Sequence, residues 1–260
     1  MISKSRFVVA LALTLALGVS GIAFAGDDSS DNDSSIEASI YKKFGKKPKL
    51  PEKEFKRVNL DLTTSTDFGT TTPGTQANAE ELYVDFSKNI KFKLKKAPTC
   101  SADIADTTTA QARAACPEKS LIGTGDATAK VLVGFETHAT FSDFIASLFN
   151  GPGSKEIRVH LYSPTLGAGQ TQVVGADIVN SPLGGAYRKR LAATNLPDVG
   201  GDDSGGLTEF HAVITKQDKV LRARCKSKKV KFSSTHVYDD GASQQDFDQH
   251  KCKQKDSNNN

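Results

Sequence analysis

The chain has no tryptophan and five tyrosines among its 260 residues. Carbohydrate-binding faces stack sugars on exposed aromatic rings, so a flat sugar platform is not expected. Four cysteines are present, with no C-x-x-C pair and no neighbouring histidine pair. That spacing disfavours zinc. No cysteine follows the small residues Ala23 and Ala25, which excludes a lipid attachment site of the bacterial lipoprotein kind. After Ile22 no apolar run is long enough to span a bilayer. Charge of either sign is not in large excess: 34 Lys and Arg stand against 30 Asp and Glu. That balance does not describe a nucleic-acid binder. No internal repeat stands out.

The N-terminus is what an exported protein carries. Lys4 and Arg6 precede an apolar run from Phe7 to Ile22, and Ala23-Phe24-Ala25 supplies an A-x-A cleavage site before Gly26. Residues 1–25 therefore read as a signal peptide. The flank that follows is acidic and polar, unlike the cationic flank of a stop-transfer segment. Removal of Lys4 and Arg6 leaves 32 cationic against 30 acidic side chains, a net charge of +2. In an exported chain an even number of cysteines implies disulfides. Four cysteines allow three pairings, and the short spacings favour Cys100–Cys116 and Cys225–Cys252.

Residues 26–40 are acidic and Ser-rich, the composition of a disordered leader. Asp27, Asp31 and Asp33 lack the Gly and the terminal Glu of a calcium loop. Residues 42–57 then hold eight Lys or Arg and two Glu, read as a solvated linker. The body alternates apolar and polar residues with period two. Val58/Leu60/Leu62, Leu82/Val84/Phe86, Ile90/Phe92/Leu94, Ile157/Val159/Leu161 and Phe210/Ala212/Ile214 each form one apolar face. Turn clusters at 73–74, 150–153, 181–185, 200–206 and 239–241 separate them. The lysines of 88–96 suit an edge strand. One stretch departs from the pattern. Phe141, Phe144, Ile145, Leu148 and Phe149 fall at the spacing of an amphipathic helix, stopped by Gly151. Residues 103–115 have room for one helical turn.

Candidate chemistry is sparse. Residues 201–206 read GDDSGG, one letter away from the GDSGG of chymotrypsin-like proteases. Asp202 occupies the place of the glycine whose N–H serves the oxyanion hole, and Leu207 stands where proline usually follows. The preceding histidines, His138 and His160, lie in the wrong contexts. Ser204 is expected in an exposed turn with no imidazole in reach. Gly123-Thr124-Gly125 lacks the third glycine of a nucleotide-binding loop. The five histidines are scattered, although His160 and His211 could become neighbours on adjacent strands. A glycosidase needs two facing carboxylates, which 30 acids neither support nor exclude. Arg222, Arg224, Lys226, Lys228, Lys229 and Lys231 form a basic run around Cys225, a plausible anionic contact patch and more often a solvated hairpin.

Three fragments occur together. They are Cys100…Cys116-Pro117-Glu118-Lys119-Ser120-Leu121-Ile122-Gly123-Thr124-Gly125, then Leu148-Phe149-Asn150-Gly151-Pro152, then Leu221-Arg222-Ala223-Arg224-Cys225 with Val230-Lys231-Phe232, Asp240-Gly241 and Cys252. In this order, over about residues 50–253, the chain resembles a family of secreted actinobacterial proteins of uncharacterised activity. The resemblance implies a β-rich extracellular domain with two local disulfides, and a strand that ends at Leu148–Phe149. It implies no catalytic residue and no ligand.

The expected architecture is all-β: a two-sheet antiparallel β-sandwich over residues 50–253, with at most one or two short helices. A leader precedes it over 26–49 and a tail follows over 254–260. The expected function is a non-catalytic exported protein, free or associated with the cell envelope, acting through surface contact or binding. No cofactor, metal, nucleic acid or integral membrane segment is expected. The partner considered is an anionic cell-envelope polymer held by the basic segments. The alternative is a secreted hydrolase with a site unreadable from sequence.

Overall fold

The computed structural model of the chain describes residues 34–42, 48–66, 78–133, 137–167, 169–199, 205–215 and 219–254. Residues 1–33, which include the expected signal peptide, and residues 255–260 lie outside these. In chain order the elements are β1 (Ser34–Tyr41), β2 (Lys49–Leu50), β3 (Lys56–Arg57), β4 (Asn59–Thr66), β5 (Ala79–Ser87) and β6 (Ile90–Phe92). The helix α1 (Thr109–Ala115) follows, then β7 (Leu121–Val133), β8 (Thr137–Asn150), β9 (Glu156–Ser163), β10 (Gln170–Asn180) and β11 (Tyr187–Ala193). The last are β12 (Gly205–Ile214), β13 (Leu221–Ala223), β14 (Lys229–Tyr238), β15 (Ser243–Lys251) and β16 (Lys253–Gln254).

The period-two patterns become strands with one face inside. Leu60, Leu62, Thr64 and Thr66 of β4 are buried, while Asp61, Thr63 and Ser65 are half-buried. In place of two separate packed sheets there is one sheet of 11 strands, ordered β1-β4-β12-β7-β8-β9-β10-β11-β5-β14-β15. Every neighbouring pair in it is antiparallel. The sheet curls until its two edge strands meet. There the Asp246 and Asp248 carboxylates of β15 accept the N–H groups of Ile36 and Ala38 of β1 at 2.9 and 2.7 Å. The result is nearly a barrel, and its edges are sealed by side chains and not by a backbone ladder.

This seam corrects the expected leader. Residues 34–41 are a strand, with Ile36, Ala38 and Ile40 buried. The alternation with Glu37 and Ser39 is short and follows directly on an acidic, Ser-rich run. Nor is the basic stretch a linker throughout. β2 pairs with β16 in parallel, β3 pairs with β13, and Leu50 and Val58 are fully buried.

The register places the starts of β1, β5, β8, β10, β12 and β15 at one rim with the ends of β4, β7, β9, β11 and β14. The opposite end is filled. There β3-β13-β6 and β2-β16, with Val58 directly after β3, carry Leu50, Ile90, Leu221 and Ala223 into the same core as the barrel wall. Phe86 meets Phe92 edge-on at 5.0 Å and Phe232 at 6.0 Å. The Cys225–Cys252 disulfide, with Cα atoms 6.0 Å apart, ties β13 and β15 together within this plug.

The second disulfide, Cys100–Cys116, has its Cα atoms 5.0 Å apart and closes a flap on the outer face of β8 and β9. Within the flap α1 is started by a capping box, in which Thr108 and Gln111 satisfy each other's backbone N–H groups. The flap is pinned by Arg158, which donates to the Ala102 carbonyl at 2.8 Å, and by Asn150, which donates to Ala97 and Pro98.

The helix expected over 141–149 is not formed; this stretch lies within β8. Two features imitate helical spacing. Opposite Ala127–Ala129 of β7, β8 carries one extra residue between Phe141 and Phe144, so both phenylalanines pack on the interior core. Phe149 faces the other way and is buried under Cys100, Ile104, Ala112 and Cys116. A strand apolar on both faces, with one register slip, loses its period of two.

Candidate ligand cavity in the barrel interior

Where wall residues are short, the interior is not filled. A row of paired residues runs Ile157, Ala176, Ala193, Leu82, His236 across β9, β10, β11, β5 and β14. The two alanines beside the longer side chains leave a cavity of about 90 Å³. Leu60, Leu62, Leu161, Val174 and Leu191 complete much of its wall, and the solvent-exposed Glu209 contributes to the lining.

The inner face of β14 runs Val230, Phe232, Ser234, His236, Tyr238, all buried. Three of these five carry polar groups. The Tyr238 hydroxyl lies 2.6 Å from Thr66 Oγ1. His236 lines the cavity and is 3% exposed. Its Nδ1 and the Ser234 hydroxyl find no hydrogen-bond partner among the described residues. Burial in this apolar setting pushes the His236 imidazole down to about 4, because a charged ring would be poorly solvated there. The ring is therefore neutral at physiological pH, with one nitrogen able to accept and one to donate. An unpaired buried polar group is costly, and a site that offers one is suited to a ligand that supplies the missing bond.

The residues singled out in the sequence lie elsewhere. Ser204 and residues 201–203 are outside the described residues, as is the His138 side chain; Gly205 opens β12 at the rim. His160 and His211 are not neighbours, since β7 and β8 lie between their strands. His160 is buried beneath the flap, with Nε2 2.9 Å from the Thr107 carbonyl oxygen. Burial there lowers its pKa more than the bond to Thr107 raises it. His211 lies on the outer face between two carboxylates, Asp126 at 2.9 Å and Asp61 at 3.0 Å. The Gly123-Thr124-Gly125 stretch is strand, and a Cβ on Gly125 would overlap the His211 carbonyl of β12. Its glycines permit close strand approach and form no phosphate loop.

The basic run around Cys225 is divided among β13, a turn and β14. Arg224 lies 4.8 Å from the Phe55 ring centre. Among the described residues no three His, Cys, Asp or Glu side chains are grouped to hold a metal ion. No described helix is long and apolar enough to cross a membrane. Comparison of the chain with protein-family models and with curated proteins gave no match.

The cavity escaped sequence reading because His236 sits amid Ser233, Ser234 and Thr235, a stretch without apolar alternation. The available signal was the phase of Val230, Phe232 and Tyr238, which places positions 234 and 236 on the same inward face.

Proposed function

We propose that this chain is an exported, non-catalytic barrel that binds a small apolar ligand in its interior. The ligand carries one neutral hydrogen-bonding group directed at His236. The observation behind this reading is a cavity walled by Leu, Val and Ala and lined by a buried, neutral imidazole whose Nδ1 has no partner among the described residues. Two disulfides are compatible with an oxidising, extracellular setting. The signal-peptide pattern and the resemblance to secreted actinobacterial proteins support the same location. A volume of about 90 Å³ suits a short aliphatic chain and not a large ring system; engineered apolar cavities of about 150 Å³ accept benzene.

Methyl NMR of the oxidised chain titrated with 1-propanol tests this. Saturable shifts are expected at the Leu82, Leu161 and Leu191 methyls, with none at exposed Ile145. Ala176→Phe should fill the cavity and abolish the response while the remaining spectrum stays folded. Val174→Phe serves as a second filling variant if the first does not fold. Absence of saturation, or an unchanged response in a folded filling variant, would overturn the reading.

A further inference from the structure

At the plugged end of the barrel a crevice of about 610 Å³ opens between the plug and the wall. One side is β6 and the single helical turn Leu94–Lys96 that follows it. The other is made by Ile178 of β10, residues at the start of β11 and the turn at Ser154–Lys155. Both sides are held by backbone bonds. Lys93 N–H donates to the Val220 carbonyl at 2.6 Å, and Ile178 N–H donates to the Lys155 carbonyl at 2.7 Å.

Twelve residues line the crevice; seven are Lys or Arg, and none is acidic. Lys91 rests over the Phe55 ring at 4.4 Å, and Lys189 donates to Asn180 at 2.9 Å. Lys93, Lys95, Lys96, Lys155 and Arg188 have no carboxylate partner among the described residues. In a chain whose charges nearly balance, this is a strong local segregation. Cations crowded in one concave place repel one another, and low-dielectric walls focus their field on whatever enters.

We propose that this crevice binds a linear oligophosphate, an anion with several phosphate groups in one chain. Three observations select that class. The volume lies within the range of small-ligand sites, about 300–1,000 Å³. Six of the seven cations are lysines, compact point charges that can each meet a separate anionic oxygen, and a linear oligophosphate presents such oxygens along its length. A single phosphate would leave most of the seven cations uncompensated, so the ligand carries more than one. The site is separate from the barrel cavity, and the two stand or fall independently.

Isothermal titration of the full oxidised chain with sodium tripolyphosphate tests the proposal. Saturable 1:1 binding is expected, weakening as salt rises, because exposed charge pairs are screened. The variant Lys93→Gln/Lys155→Gln/Arg188→Gln removes one cation from each side of the crevice and one from β11. It should weaken binding about tenfold or more. A control, Lys53→Gln/Lys119→Gln/Lys231→Gln, removes the same charge outside the crevice and should change affinity by less than about twofold. All six side chains are exposed, so both variants should unfold at the temperature of the parent. Equal weakening by the two variants would show diffuse attraction and overturn the site, as would the absence of saturable binding. Binding to phosphatidylglycerol vesicles without binding to tripolyphosphate would also overturn it, by assigning the charge to a membrane surface.

Discussion

The Asp248 carboxylate accepts the N–H of Ala38 at 2.7 Å, and so joins the last long strand of the sheet to the first. Asp246 does the same for Ile36 at 2.9 Å. Hydrogen bonds to a charged group contribute about 1.5–3 kcal/mol each, and less when partly exposed. Asp246→Ala/Asp248→Ala should therefore lower the unfolding free energy by about 2–4 kcal/mol. Amide exchange at Ile36 and Ala38 should quicken more than at other core strands. Asp248→Asn keeps an acceptor oxygen and should cost less. Unchanged exchange at these two amides in the double variant would show that the seam does not depend on the carboxylates.

Asp85 of β5 is fully buried and meets Arg190 of β11 through two bonds of 3.0 and 2.7 Å. The guanidinium also lies 4.6 Å from the Tyr83 ring centre. Arg190→Ala leaves a buried carboxylate without its counter-charge and should cost about 3–5 kcal/mol. Adding Asp85→Asn should recover part of that loss, since the remaining group is neutral. A double variant no more stable than Arg190→Ala would contradict the pairing as the source of the cost.

Stability should vary with pH through three histidines: His236 and His160, with lowered pKa values, and His211, with a raised one. The His236 pKa falls from 6.5 unfolded to about 4 folded. Between these values the unfolded chain binds the proton and the native ring does not. Stability therefore falls as the pH drops from 6.5 toward 4, by about 3 kcal/mol in total. His236→Gln should reduce the slope of urea-denaturation free energies in this range, with His160 supplying the slope that remains.

His211 runs the other way. Partial burial opposes its charge, but hydrogen bonds to Asp126 and Asp61 outweigh it and raise its pKa above 6.5. Its contribution is fully present below 6.5 and is lost as the pH rises through the raised value. His211→Gln should remove a decline in stability above pH 6.5 and leave the acid limb intact. A parent curve that rises through this upper range would exclude the clamp.

Loss of either disulfide should destabilise the chain, since each restrains the unfolded state. Chain-entropy estimates are about 3 kcal/mol for Cys100–Cys116 and about 3.5 kcal/mol for Cys225–Cys252, with separations of 16 and 27 residues. The effects should differ in place. Cys100→Ser/Cys116→Ser should raise amide exchange in the flap around Thr108–Ala115. Cys225→Ser/Cys252→Ser should loosen the plug and lower the midpoint of the whole barrel, because both sulfurs belong to the main core. A flap unaffected by the first change would show that hydrogen bonds from Arg158, Asn150, His160 and Thr171 hold it without the disulfide.

Much of the β character was legible from side-chain alternation, because a strand with one wet and one buried face must repeat every two residues. Leu60/Leu62 and Phe210/Ala212/Ile214 show it plainly. The pattern failed where burial was two-sided, as at Phe144 and Phe149 of β8, or where the inward residue was polar, as at Ser234 and His236 of β14. It also failed at β1, where three short apolar residues among serines and a glutamate read as a leader. Such a strand is defined by the neighbour it pairs with and not by its own composition.

The amino-acid sequence by itself determined the local features of this protein: the strand-forming segments, the helical turn between Cys100 and Cys116, and the short-range pairing of cysteines. These depend on residues near one another in the chain. The tertiary structure alone decided that the strands form one nearly closed sheet. It also placed Ala176 and Ala193 beside His236 to open a cavity, and gathered lysines and an arginine from β6, a turn and β11 into one crevice. Closure and both sites bring together residues far apart in the chain: Asp246 with Ile36, Leu82 with Ala193 and His236, and β6 with Lys155 and Arg188. No local pattern encodes such contacts; the curvature and register of the whole sheet do.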